Sequence, residues 1–144
     1  MKILLVEDNQ DDEMLTLMAF KDNNIMNEVV VARDGAEALD MLFHQDKGIY
    51  TDKKSLPEMI LLDLKLPKVD GLEVLQKIRS HPDTQCLPVI ILTSSKEEHD
   101  IISSYQLGAN SYIRKPVDFE QFSEAIRQLG LYWLVLNQSP NLKH

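Results

Sequence analysis

Met59-Ile60-Leu61-Leu62-Asp63 is a run of four apolar residues that stops on a carboxylate. Its length and lack of polar alternation describe a strand buried on both faces. Ile3-Leu4-Leu5-Val6 has the same character and stops on Glu7-Asp8. Residues 29–32 and 89–92 supply two further short apolar strands, and residues 111–113 a brief fifth strand. Helical signals fall between them. Periodicity begins with Met14, Leu15, Met18 and Ala19, and residues 36–43 form a helix after the Asp34-Gly35 turn. Asp70 caps a helix carrying Leu72, Val74, Leu75 and Ile78. Ser95 with Glu98, and Asp118 with Gln121, open two more helices in the capping-box pattern. The first of these ends near Gly108; the second carries Phe119, Phe122, Ala125, Ile126 and Leu129. Strands alternating with helices, with no hairpin signal between strands, define an α/β fold. It is a doubly wound, five-stranded parallel sheet covered on both sides.

The remaining composition narrows the function. The chain has 144 residues, enough for one domain with a sizeable core. Its formal net charge of −8 argues against a nucleic-acid surface, which needs clustered Lys and Arg. One cysteine, Cys86, leaves no internal disulfide and no thiolate metal cluster. No apolar run reaches the roughly 20 residues of a membrane span. Glu7 and Asp8 interrupt the N-terminal apolar run too early for a signal peptide, so a cytoplasmic location is the expectation.

In an open parallel sheet the functional crevice lies beyond the carboxyl ends of the strands. Glu7, Asp8 and Asp63 occupy those ends, with Thr93 after the fourth strand and Lys115 after the fifth. Crowded carboxylates raise one another's pKa unless a cation lies between them. With oxygen donors alone, Mg²⁺ is the natural cation. Lys115 adds an ammonium suited to a phosphoryl oxygen, and Thr93 a hydroxyl. This inventory fits phosphoryl transfer, with Asp63 as the nucleophile that carries the group as an acyl phosphate. Each residue alone has a plainer reading: Glu7 or Asp8 as a helix cap, Asp63 as a strand-end turn residue, Thr93 as a cap, Lys115 as a solvated lysine.

Taken in order, these stretches resemble the receiver domains of bacterial two-component response regulators, the CheY-like family. The resemblance is carried by residues 3–9, Asp34-Gly35-Ala36-Glu37-Ala38-Leu39, residues 61–67 with Asp70-Gly71, Ile91-Leu92-Thr93-Ser94 and residues 108–116. It spans residues 2–129 and implies a (βα)₅ flavodoxin-like fold with strand order 2-1-3-4-5. It further implies Asp63 as phosphoacceptor and Asp8 as a direct Mg²⁺ ligand. Glu7 would act through a water, and the Lys65 backbone carbonyl would complete the protein ligands. Thr93 and Tyr112 match the switch pair and Lys115 the phosphate-binding lysine, joined to Pro116 by what is usually a cis bond. The implied donor is a sensor histidine kinase docked on the first helix, near residues 11–20. The implied output face comprises the fourth helix, fifth strand and fifth helix. Lys65, two residues past the acceptor, occupies a position that influences acyl-phosphate lifetime in this family.

Residues 1–130 thus form one receiver domain, and residues 131–144 an extension of the last helix with a tail. The polar connection 45–57 and residues 131–140 of this tail resemble the small regulators paired with phytochrome-type kinases. Phe122, Ile126, Leu129, Tyr132, Trp133 and Leu136 form a stripe that is either folded onto the domain or buried in a homodimer. Other readings are a phosphate relay or sink, and an aspartyl-phosphate phosphatase. The last lacks its second carboxylate, because Lys65 stands there. A turnover enzyme for an external substrate is not expected.

Overall fold

The computed structural model describes residues 2–25, 27–43, 56–93, 98–114 and 119–129. Lys115, Pro116, Ser95, Asp118, Tyr132, Trp133 and Leu136, and the side chain of Leu129, lie outside the described residues.

The elements run β1 (Lys2–Val6), α1 (Gln10–Asp22), β2 (Glu28–Ala32), α2 (Gly35–Phe43), β3 (Met59–Leu62), α3 (Gly71–Ser80), β4 (Val89–Thr93), α4 (Glu98–Gln106), β5 (Ser111–Arg114) and α5 (Phe119–Leu129). The five strands order as β2-β1-β3-β4-β5, and every adjacent pair is parallel. The expected architecture and strand order are both present.

Successive residues of a strand point to opposite faces, so each strand feeds two cores. Leu4, Val6, Ile60, Leu62 and Ile91 pack with Ala38 and Leu42 of α2 and with Val74, Leu75 and Ile78 of α3. Ile3, Leu5, Leu61, Ile90 and Leu92 pack with Ala19 and Phe20 of α1 and Phe122 and Ile126 of α5. That two-sided burial explains why β1, β3 and β4 read as unbroken apolar runs. Full burial of one such side chain contributes about 1.5–3 kcal/mol. Asn23 ties the second layer together: its Nδ2 donates to the Ser123 carbonyl and hydroxyl oxygens at 3.0 Å each.

One helix departs from the simple amphipathic picture. The spacing of Met14, Leu15 and Met18 locates α1, yet these residues are exposed, as is Leu17. Thr16, Ala19 and Phe20 form the buried face instead. Ala19 and Phe20 pack with Phe122 and Ile126 of α5, and the long apolar side chains of α1 are left on the solvent side.

Candidate functional site

Register builds the site. In the parallel pairing of β1 with β3, Val6 lies beside Leu62. The next residues, Glu7 and Asp63, therefore leave the sheet side by side. The Asp63 N–H donates to the Val6 carbonyl at 3.1 Å, and the Glu7 N–H donates to the Ala32 carbonyl at 2.9 Å. Both strand ends are thus held by the sheet's own hydrogen bonds.

The helix cap nearby falls to neither acid. Asn9 caps α1, its side chain accepting from the Asp12 N–H at 3.0 Å. Glu7 Oε2 in turn accepts from the Asn9 N–H at 3.3 Å. Capping by Asn9 answers the plainer reading of Glu7 and Asp8.

Glu7, Asp8 and Asp63 each direct one carboxylate oxygen to a common point, the three oxygens lying within 4.8 Å of one another. Glu7 is 1% and Asp63 6% exposed, whereas Asp8 is open to solvent. Two buried carboxylates and one at the rim make a pocket of oxygen donors with an open side. Such a set fits a small hard cation that keeps part of its shell for water or phosphate.

The loop from β3 to α3 holds the acceptor from the other side. The Lys65 N–H donates to Asp63 Oδ1 at 3.1 Å. Asp70 caps α3 by accepting from the Leu72 N–H at 3.0 Å, as its position suggests. Gly71, the first residue of α3, packs directly on this loop: an added Cβ would sit 2.3 Å from the Asp63 carbonyl oxygen. No side chain fits there.

Thr93 is fully buried at the end of β4 and pairs in register with Arg114 of β5. Tyr112 pairs with Ile91 and is half-buried against the core that includes α3. Lys115 and Pro116 follow Arg114 and lie outside the described residues.

Sequence reading passed over one charged residue near this site. Asp100, in the first turn of α4, is only 4% exposed, and its Oδ2 lies 3.5 Å from Lys65 Nζ. An acid at a helix N-terminus is so common that its position alone carries no warning of burial.

Residues 3–127 match the family model for the response regulator receiver domain. The chain belongs to the response regulator receiver family. Among curated proteins, this receiver is 42% identical to the probable methanogenesis regulatory protein FilR2 of Methanothrix harundinacea, over 96% of this chain and 86% of that one. It is 40% identical to response regulator Rcp1 of Synechocystis sp., over 92% and 88% of the two chains. Among solved structures, the phosphorylated cyanobacterial phytochrome response regulator RcpA superposes with a TM-score of 0.85 at 41% identity, covering 97% of this receiver and 98% of that chain. The Mn²⁺-bound form of Rcp1 gives 0.82 at 38% identity, covering 97% and 99%. The bacteriophytochrome response regulator RtBRR gives 0.75 at 52% identity, covering 96% and 83%. Among the described residues, no helix of the receiver is long and apolar enough to cross a membrane.

Proposed function

We propose that this receiver takes a phosphoryl group on Asp63 from a sensor histidine kinase in a Mg²⁺-dependent reaction and signals through α4, β5 and α5. The observation that carries the reading is the convergence of Glu7, Asp8 and Asp63 at the carboxyl end of a parallel sheet. Asp8, Asp63, Glu7 and the Lys65 carbonyl are the groups that would hold Mg²⁺. When bound, the ion neutralises charge on the carboxylates and on the incoming phosphoryl oxygens.

The protein's own part is positioning. An Asp63 carboxylate oxygen forms the new P–O bond as the donor's P–N bond breaks, and the electron pair leaves with the imidazole. The Lys65 N–H, already on Asp63 Oδ1, fixes the orientation of that carboxylate. The added group brings about −1.5 to −2 charges and three acceptor oxygens. Thr93 and Lys115 are assigned to those oxygens, and Tyr112 follows Thr93 inward, shifting the population of the α4–β5–α5 face.

The exposed side chains of Met14, Leu15, Leu17 and Met18 support α1 as the kinase-facing surface. Met14, Leu17 and Met18 line a groove with Gln10, Glu13, Lys21 and Arg33, so the apolar strip has a charged rim. That is the anatomy of a specific protein contact. Similarity to RcpA and RtBRR supports a kinase of the phytochrome type. Residues 131–144 are assigned to homodimerisation, tested by the mass of the protein in solution.

The reaction is tested by incubating the protein with acetyl phosphate, with and without Mg²⁺, and measuring intact mass. One added phosphoryl group is expected with Mg²⁺ only, and none on Asp63→Asn. Labelling that survives in Asp63→Asn would overturn the assignment.

A further inference from the structure

Lys65 lies between two acids. Its backbone N–H is on the acceptor Asp63, while its ammonium reaches Asp100 Oδ2 at 3.5 Å. The Lys65 side chain is 58% exposed and that of Asp100 6% exposed, so a mobile cation meets a fixed, buried anion. Farther along the same loop, Lys68 Nζ lies 3.6 Å from Asp34 Oδ2, at the start of α2. The loop over the phosphoacceptor is therefore tied to α2 on one side and α4 on the other.

The packing of α4 makes the second tie matter. Asp100 and Ser104, one turn apart and hence on one face, are both buried. Ser104 Oγ has no hydrogen-bond partner among the described residues. Ile102 and Tyr105 are about half exposed. Among the described side chains of this helix the two buried ones are polar, and Ile101 is only partly buried, so hydrophobic burial holds it less firmly than α3, whose Val74, Leu75 and Ile78 are all buried. Polar contacts at its first turn carry a correspondingly larger share.

We propose that Asp100 is a positioning residue: it holds the Lys65 ammonium in the unphosphorylated state, and phosphorylation of Asp63 draws that ammonium away and loosens α4. The inference rests on the phosphoacceptor reading above. Lysine suits the role because its ammonium is a point charge on a flexible four-carbon stem, able to change partners without moving its backbone. A phosphoryl group two residues away offers more charge and more acceptor oxygens than Asp100 does. Asp100 then loses one counter-charge while it remains buried, a change that favours any packing of α4 that hydrates it. The route from Asp63 to α4 through Lys65 is separate from the one through Thr93 and Tyr112.

The test uses beryllium fluoride with Mg²⁺ as the phosphoryl stand-in, on wild type, Asp100→Asn, Lys65→Met and the double variant. Affinity is measured by calorimetry and backbone deuterium uptake over residues 98–106 by mass spectrometry. Removing the competitor in Asp100→Asn should tighten beryllium fluoride binding about two- to fivefold, the range of a partly exposed ion pair. In the Lys65→Met background the same substitution should change nothing. Lys65→Met, which alters no residue of α4, should raise uptake over 98–106 before any beryllium fluoride is added. Equal effects of Asp100→Asn in both backgrounds, or unchanged uptake in Lys65→Met, would overturn the proposal. Absence of Mg²⁺-dependent beryllium fluoride binding to wild type would overturn the phosphoacceptor reading instead.

Discussion

Replacing Gly71 by alanine tests how tightly α3 is packed onto the acceptor. The added Cβ would lie 2.3 Å from the Asp63 carbonyl oxygen, 2.6 Å from Leu64 Cα and 3.1 Å from the Asp63 carbonyl carbon. All three are backbone atoms, so no side chain can rotate away. Gly71 does not occupy the left-handed region, so alanine meets no conformational strain of its own. The cost is steric: α3 must slide off the loop, or β3 must give way. Overpacking of this kind costs about 1–3 kcal/mol. The better helix propensity of alanine returns at most about 1 kcal/mol. Because the clash falls on backbone that cannot rotate away, the cost lies in the upper part of that range, and a net loss of about 1–2 kcal/mol lowers the melting temperature of a chain this size by about 3–8 °C. Thermal unfolding followed by circular dichroism reads it directly. Slower labelling by acetyl phosphate should accompany the loss, because the displaced backbone is the one that orients Asp63. A Gly71→Ala protein that melts at or above wild type would refute the reasoning.

Three further outcomes are expected. Arg79 donates to the carbonyls of Gly108, Leu87 and Gln85 and to Asn110 Oδ1, clasping the ends of two loops beneath the sheet. Burial lowers its pKa, yet a guanidinium remains charged at neutral pH. Arg79→Ala should cost about 1.5–3 kcal/mol in urea unfolding, and Arg79→Lys should recover only part, since an ammonium cannot span the same fork. Met18→Glu should slow phosphotransfer from the partner kinase about tenfold or more, with labelling by acetyl phosphate unchanged, because it alters only the exposed face of α1. Asp8→Asn should weaken Mg²⁺ binding, measured by calorimetry, by roughly tenfold or more, while the melting curve stays in place because Asp8 is exposed.

Much of this protein is decided locally, and that part is legible in the chain. Unbroken apolar runs mark β1, β3 and β4 because both faces of those strands are covered. The Asp70 cap follows from the preference of short acceptor side chains for orphan helix N–H groups. The resemblance of these stretches to receivers, now matched over residues 3–127, carries the strand order as well.

What the chain alone left open depends on which faces meet. Whether Glu7 and Asp8 serve a cap or a site turns on Asn9 taking the cap, and on the alignment of Val6 with Leu62 that sets residues 7 and 63 together. Hydrophobic spacing locates α1 but points to the wrong face: the side that meets α5 carries Ala19 and Phe20, leaving the methionines outside. Asp100 looks like any acid in a first helical turn until α4 is docked with its polar side inward. Periodicity records how often apolar residues recur; only docking against neighbours decides which of them, and which charges, are taken out of water.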